Sequence, residues 1–213
     1  IPHAFSREGP DISVGDVNGD QLDDVYISGA AQNNGMLYVQ THAGTFEKHS
    51  PQVFRDRAVY EETAVSFFDA DGDADLDLFI GSAGNEFQSP NPKLRDLVLI
   101  NDGTGQFSPN PDALQKEFRN TSVVRSSDID QDGDLDLFVG SRVVTNQYGR
   151  VPESGIYFNI GPGRFRNETE AIAPQLRMVG MVTDAVWADV DGDQIADLVV
   201  VGEWMKVTVF LNK

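Results

Sequence analysis

The sequence predicts an all-β fold: about four β-propeller blades, each of four antiparallel strands, along a chain of 213 residues. Three observations predict it. An acidic nine-residue segment recurs four times. Short β-branched and aromatic runs stand before and after the copies. A second, glycine-containing signature trails the first three. A strand-rich unit that repeats every 50–60 residues or so is the mark of radially stacked sheets.

The acidic copies read Asp16-Val-Asn18-Gly-Asp20-Gln-Leu22-Asp-Asp24, Asp69-Ala-Asp71-Gly-Asp73-Ala-Asp75-Leu-Asp77, Asp128-Ile-Asp130-Gln-Asp132-Gly-Asp134-Leu-Asp136 and Asp189-Val-Asp191-Gly-Asp193-Gln-Ile195-Ala-Asp197. Their first residues lie 53, 59 and 61 positions apart. The trailing signature is Gln40…Gly44-x-Phe46, Asn101…Gly105-x-Phe107 and Asn159…Gly163-x-Phe165; the fourth copy reaches Asn212.

Each unit follows one order. An apolar run leads into the loop (Ala64 to Phe68, Ala185 to Ala188). A second leaves it (Leu76 to Ile80, Leu135 to Val139, Leu198 to Val201). A third follows a variable gap (Met36 to Val39, Leu97 to Ile100, Ile156 to Phe158, Val207 to Leu211), and a brief fourth carries Gly-x-Phe. Short runs of this composition bounded by Gly, Asn and Asp read as strands. The second runs are apolar almost throughout, as expected of strands covered on both faces. The blades expected are about residues 9–50, 62–110, 122–168 and 183–213, the last incomplete. The first strand of each should lie innermost. The fourth blade should lack its own outer strand, and either stay open or borrow an edge from His3 to Ser6, since an unpaired strand invites pairing. The one expected helix is Asp112 to Arg119.

The acidic loops read as metal sites. Oxygens at loop positions 1, 3, 5 and 9, with a backbone carbonyl at position 7, can converge on one hard cation. The candidate ligands are Asp16, Asn18, Asp20, Leu22 and Asp24; Asp69, Asp71, Asp73, Asp75 and Asp77; Asp128, Asp130, Asp132, Asp134 and Asp136; and Asp189, Asp191, Asp193, Ile195 and Asp197. Leu22 and Ile195 enter only through the carbonyl. Eighteen of the 34 acidic residues sit in these four windows, so without cations the clusters repel themselves. Simple Asp-Gly turns explain one such loop, but not four in register. An EF-hand needs a glutamate at position 12, where this chain has Ile80 and Val139. Magnesium prefers fewer protein ligands and retained waters, and soft metals lack ligands here. About four Ca2+ sites are expected, structural rather than catalytic.

Composition removes other classes. A formal net charge of −18 repels phosphate backbones and anionic lipid, which argues against nucleic-acid and membrane-surface roles. No apolar run of membrane-spanning length is present, so no direct insertion is expected. With no cysteine there are no disulfides, thiolate zinc sites or cysteine nucleophiles. His3, His42 and His49 show no zinc spacing, and no nucleophile-elbow, P-loop or dinucleotide motif appears. The chain opens at Ile1 without a basic or apolar leader, so a signal or anchor is expected to have been removed, or the chain to be a piece of something longer.

The loop pattern followed by Leu-x-Leu-Phe-Val-Gly, with Asn101-Asp-Gly-Thr-Gly-Gln-Phe107, resembles the FG-GAP/VCBS repeat of integrin-α-type β-propellers. The resemblance runs from Gly9 to Asn212. More narrowly, Glu8 to Asp20, Gly84-Asn-Glu-Phe87 and Val201-Gly-Glu-Trp-Met205 resemble the VCBS-repeat region of large bacterial envelope proteins. It implies an integrin-type propeller, commonly seven-bladed, of which this chain holds about four blades. It also implies an extracellular, periplasmic or cell-surface location, and adhesion, ligand capture or scaffolding as the role. The chain lacks a literal Phe-Gly…Gly-Ala-Pro, so integrin-style ligand binding does not carry over.

The long gaps between second and third strands, Ala83 to Arg95 and Ser141 to Ser154, are the lead to a ligand. They should emerge opposite the acidic loops, and Phe87, Tyr148 and Arg150 among them suit a glycan or protein surface. Packing against neighbouring blades is an equal expectation, and packing is favoured for Trp204. Partners are therefore a protein or glycan ligand, or remaining blades on this or another chain. The sequence leaves catalysis open and weighs against it. The enzyme alternative is a calcium-dependent polysaccharide-lyase-like activity, for which Tyr148 and Arg150 are the only nearby base and arginine.

Overall fold

The computed structural model describes residues 9–115 and 117–213. Within them the chain forms four antiparallel sheets in chain order. The first holds β1 (Ile12–Gly15), β2 (Asp24–Ile27), β3 (Met36–Gln40) and β4 (Phe46–His49). The second holds β5 (Glu61–Phe68), β6 (Asp77–Ala83), β7 (Leu97–Asn101) and β8 (Phe107–Asn110). The third holds β9 (Asn120–Ser127), β10 (Asp136–Val143), β11 (Gly155–Asn159) and β12 (Phe165–Asn167). The fourth has three strands, β13 (Met181–Ala188), β14 (Asp197–Glu203) and β15 (Thr208–Phe210). These are propeller blades, and among the described residues no strand ladder joins the first sheet to the last. The expected edge from His3 to Ser6 lies outside the described residues.

One register repeats in all four blades. The last residue of the first strand pairs with the loop's ninth residue: Gly15 with Asp24, Phe68 with Asp77, Ser127 with Asp136, Ala188 with Asp197. A one-residue slip would turn every buried side chain to the wrong face, so this constancy fixes which residues meet between blades.

The core lies between sheets. Tyr26, Leu37, Phe54, Leu78 and Leu99 fill the seam of blades one and two. Phe68, Phe79, Val98, Leu137 and Tyr157 fill the next, and Phe138, Ile156, Leu176, Val182 and Leu198 the last. β6 is buried throughout, whereas β4 is mostly exposed. Truncating a buried side chain such as Phe79 or Phe138 to alanine should cost about 3–5 kcal/mol.

First strands of neighbouring blades touch. Ser13 Oγ accepts the Phe67 N–H at 2.8 Å, and Ser122 Oγ donates to the Val182 carbonyl at 2.7 Å. Close approach explains the glycine that ends Leu-x-Leu-Phe-Val-Gly. A Cβ on Gly140 would lie 2.7 Å from Val123 Cγ1 and 2.9 Å from Val182 Cγ1. On Gly81 it would meet Thr121 Cγ2 at 2.6 Å.

The expected helix at Asp112 to Arg119 is corrected: its described residues are turn and extended chain. Asn110 Oδ1 accepts the Asp112 N–H, and the Ala113 carbonyl accepts the Phe165 N–H at 2.7 Å. The segment is thus recruited to the edge of blade three, and tertiary pairing overrides helix propensity. The helices that form are single turns elsewhere, Gln52–Arg55 and Thr169–Ile172. Among the described residues no helix is long and apolar enough to cross a membrane.

Candidate metal centre and the opposite face

The loops at the first hairpin of each blade share a backbone device: positions 4 and 6 both take left-handed φ. These are Gly19 (75°) and Gln21 (68°), Gly72 (85°) and Ala74 (72°), Gln131 (62°) and Gly133 (99°), and Gly192 (86°) and Gln194 (72°). Glycine holds position 4 in three loops and position 6 in the third, so one position per loop carries the side-chain strain of that region. The alternation folds the loop around its first residue. Asp69 accepts the N–H groups of Gly72 (2.7 Å) and Ala74 (2.9 Å), and Asp189 those of Gly192 (2.6 Å) and Gln194 (3.0 Å). Asp16 accepts those of Gly19 and Gln21, and Asp128 that of Gly133.

Position 5 turns back on the loop. Asp20, Asp73, Asp132 and Asp193 accept the N–H groups of Leu22, Asp75, Asp134 and Ile195 at 2.9, 2.9, 3.0 and 2.9 Å. Position 9 is buried and bridges two segments. Asp77 takes the N–H of Ala70 on one oxygen and of Asn101 on the other, both at 2.8 Å. Asp24, Asp136 and Asp197 do the same with Val17 and Gln40, Ile129 and Asn159, and Val190 and Asn212.

Positions 1, 3 and 9 converge. Carboxylate oxygens of Asp69, Asp71 and Asp77 lie within 4.8 Å of one another, as do those of Asp128, Asp130 and Asp136 and of Asp189, Asp191 and Asp197. The structure does not bring the position 5 carboxylates or those of Asp75 and Asp134 into these groups. Loop 1 has Asn18 at position 3, and its Oδ1 accepts the Asp20 N–H at 3.0 Å; no three-carboxylate group forms there among the described residues.

Two observations fit a hard cation. Asp71 Oδ1 and Asp128 Oδ1 are buried with no hydrogen-bond partner among the described residues, and an orphaned buried carboxylate oxygen is costly unless something neutralises it. Second, the carboxylates disfavour one another. Burial pushes Asp77 up to about 6, and the charges of Asp71 and Asp73 push the same way. Burial, with the charges of Asp130 and Asp132, likewise pushes Asp136 up to about 6. Asp71 and Asp130 are raised by burial and by their neighbours. In loop 4 the N–H groups of Val190 and Asn212 hold Asp197 below its ordinary value. In loop 1, burial raises Asp16, but the N–H groups of Gln21, Asn18, Gly19 and Asp20 more than offset it.

The asparagine that heads the trailing signature belongs to the site, and sequence reasoning gave it no role. Asn101 Nδ2 donates to the Val17 carbonyl at 2.7 Å, in the loop of the preceding blade. Asn159 does the same to Ala70 at 2.8 Å, and Asn212 to Ile129 at 2.7 Å. Each therefore fastens its own loop through its backbone and the preceding loop through its side chain.

A family model for the FG-GAP-like repeat matches residues 16–80 and 128–200, which contain all four loops entire and the first strands of blades two and four. The chain belongs to the FG-GAP-like repeat family. Its fold is similar to that of a lectin from Agrocybe aegerita described as recognising non-reducing terminal N-acetylglucosamine, with a TM-score of 0.54 and 19% identity. The match covers 94% of this FG-GAP-like chain and 48% of the lectin, so the chain spans about half of that protein's length.

Opposite the loops of this FG-GAP-like chain, the candidate ligand residues separate. Tyr148 packs edge-on against Trp204, centroids 5.0 Å apart, and its hydroxyl donates to Glu203 at 3.1 Å. Trp204 is itself 77% exposed. Phe87 folds back beside Gly84 with the Lys93 ammonium 4.6 Å from its ring centre. Of the three, Arg150 lines a cleft that opens where the long gap of blade three meets the link from blade two.

Proposed function

We propose that this chain is a calcium-stapled, non-catalytic propeller module of an extracytoplasmic protein, binding a glycan or protein ligand on the face opposite its acidic loops. The observation that carries the calcium reading is the threefold recurrence of one carboxylate trio, two of them with a buried oxygen left without a partner. Asp69, Asp71 and Asp77, with their counterparts in loops 3 and 4, would hold Ca2+; Asp16, Asn18, Asp20 and Asp24 would form a weaker site. Position 5 carboxylates and the position 7 carbonyls of Leu22, Asp75, Asp134 and Ile195 would complete the shells. The bound ion would supply charge neutralisation, while the chain's own hairpins supply the register.

Membership of the FG-GAP-like repeat family supports the extracytoplasmic placement, and the fold shared with a lectin supports a glycan ligand. A lyase would need Tyr148 and Arg150 to face one cleft, yet Tyr148 is engaged with Glu203 and Arg150 with Gln147. Calorimetric titration with CaCl2, beside melting curves in calcium and in EDTA, tests the scaffold. Heat of binding with a higher melting temperature in calcium is expected. Identical curves in the two buffers would overturn it.

A further inference from the structure

We propose that the cleft at the seam of blades two and three is a binding site for a neutral oligosaccharide, a reading that deepens the ligand-binding role above and rests on it. The cleft has a volume of about 410 Å³, within the range of small-molecule sites. It is built by segments that the sequence treats as connections: the link into β9, the blade-three gap and the link towards β13.

Its polar groups are balanced. Arg119 and Arg150 bring donors to the lining and Glu117 and Glu153 bring acceptors, Glu117 being paired with Arg119, Glu153 with Arg177 and one Arg150 N–H with Gln147. In a chain of net charge −18, a cleft with equal numbers of each sign is locally neutral. A free anion would meet the two glutamates and a free cation the two arginines. Sugar hydroxyls both donate and accept, so they satisfy the two kinds of group without an excess charge.

Arg119 points to an absent acceptor. Its Nη2 pairs with Glu117 and its guanidinium lies 5.3 Å from the centre of the Tyr157 ring. Its Nη1 is buried with no hydrogen-bond partner among the described residues. A buried guanidinium N–H without a partner is costly, and because Arg119 lines the cleft, a small shift of its side chain would bring that N–H to a ligand hydroxyl or carbonyl oxygen. Phe118 and Met178 also line the cleft, and Met178 is 51% exposed. They offer an apolar wall to the C–H face of a pyranose ring.

The test uses the full chain in calcium buffer, with N-acetylchitotriose and maltotriose as neutral probes and a trigalacturonate as the anionic comparator. Binding is read by calorimetry and by saturation-transfer NMR. At least one neutral trisaccharide should bind. Arg119→Gln and Arg150→Ala should each weaken it by roughly tenfold or more, the scale of a lost charge-assisted hydrogen bond. Met178→Ala should weaken it less, and none of the three should change the calcium titration. The proposal is overturned if neither neutral sugar binds, if trigalacturonate binds in preference, or if Arg150→Ala, whose side chain is exposed, leaves affinity unchanged. An intact calcium response in those cases would leave the scaffold reading standing. Loss of that response in the parent chain would instead strike the scaffold alone.

Discussion

Replacing Asp71 by asparagine should lower the melting temperature in calcium but not in its absence. In EDTA the variant removes one of three carboxylates crowded within 4.8 Å, the crowding that helps to raise Asp77 to about 6, so the melting temperature should hold or rise. In calcium it loses a ligand. Extracellular-type modules bind with dissociation constants of about 10⁻⁴–10⁻³ M, so ~1 mM calcium stabilises each filled site by about 0.4–1.4 kcal/mol. For a domain of this size 1 kcal/mol moves the melting temperature by about 2–4 °C. The variant should therefore melt about 1–6 °C below the parent in calcium. Three trios put the parent's own calcium-dependent gain at about 1–4 kcal/mol, a sizeable share of a domain's stability. Differential scanning calorimetry in paired buffers reads both outcomes. If the variant is lower by the same amount in EDTA and calcium, Asp71 serves the fold and not a cation, and the reasoning fails.

Asn101→Ala should cost about 1–3 kcal/mol in urea unfolding, because it strands the buried Val17 carbonyl as well as removing a bond. Asn159→Ala should cost less, since the Ala70 carbonyl keeps the Gly163 N–H at 3.0 Å; equal losses would contradict the staple. Gly140→Ala should destabilise by about 1–3 kcal/mol through overpacking against Val123 and Val182, and a neutral result would show that the seam can relax. Asp96 is pushed up to about 6 by burial, against Arg119 and hydrogen bonds from Ser82 and Thr121 that pull it down. Its folded value lies above the unfolded one, so its contribution to stability falls as pH rises from about 4 to 6 and is flat above. Asp96→Asn should remove that slope, and parallel stability–pH profiles for parent and variant would refute it.

The all-β blade class was legible because the acidic loops mark every first hairpin, and their invariant ninth residue pins one register. The convergence of Asp69, Asp71 and Asp77 could be anticipated from alternate spacing. The turn of Asp73 back onto its own loop could not, because it follows from a left-handed Ala74 that brings the position 5 carboxylate to the Asp75 N–H. The asparagine staple was visible as a repeat but silent as to role. Its partners are backbone carbonyls 83 to 89 residues away, which any sequence supplies. Asp112 to Arg119 has helix-forming side chains, yet its backbone bonds go to Asn110 and Leu94 of blade two and to Phe165 of blade three. Arg119 entered the sequence reading only as the end of the expected helix. Only packing of the links over Tyr157 leaves its Nη1 buried at a cleft.

The staples all reach backward along the chain, and that gives assembly a direction. The loop opened by Asp16 is fastened by Asn101, the next by Asn159, and the one after by Asn212. On a growing polypeptide, a loop therefore waits for a clasp encoded 84 residues beyond the carbonyl it grips in the first case and 89 in the second. At ribosomal rates of about 5–20 residues per second, that delay is about 4–18 s. During it a newborn hairpin has its acidic residues but not its clasp. Each of the first three blades is locked by the arrival of its successor, like a zip fastener whose slider trails one tooth behind synthesis.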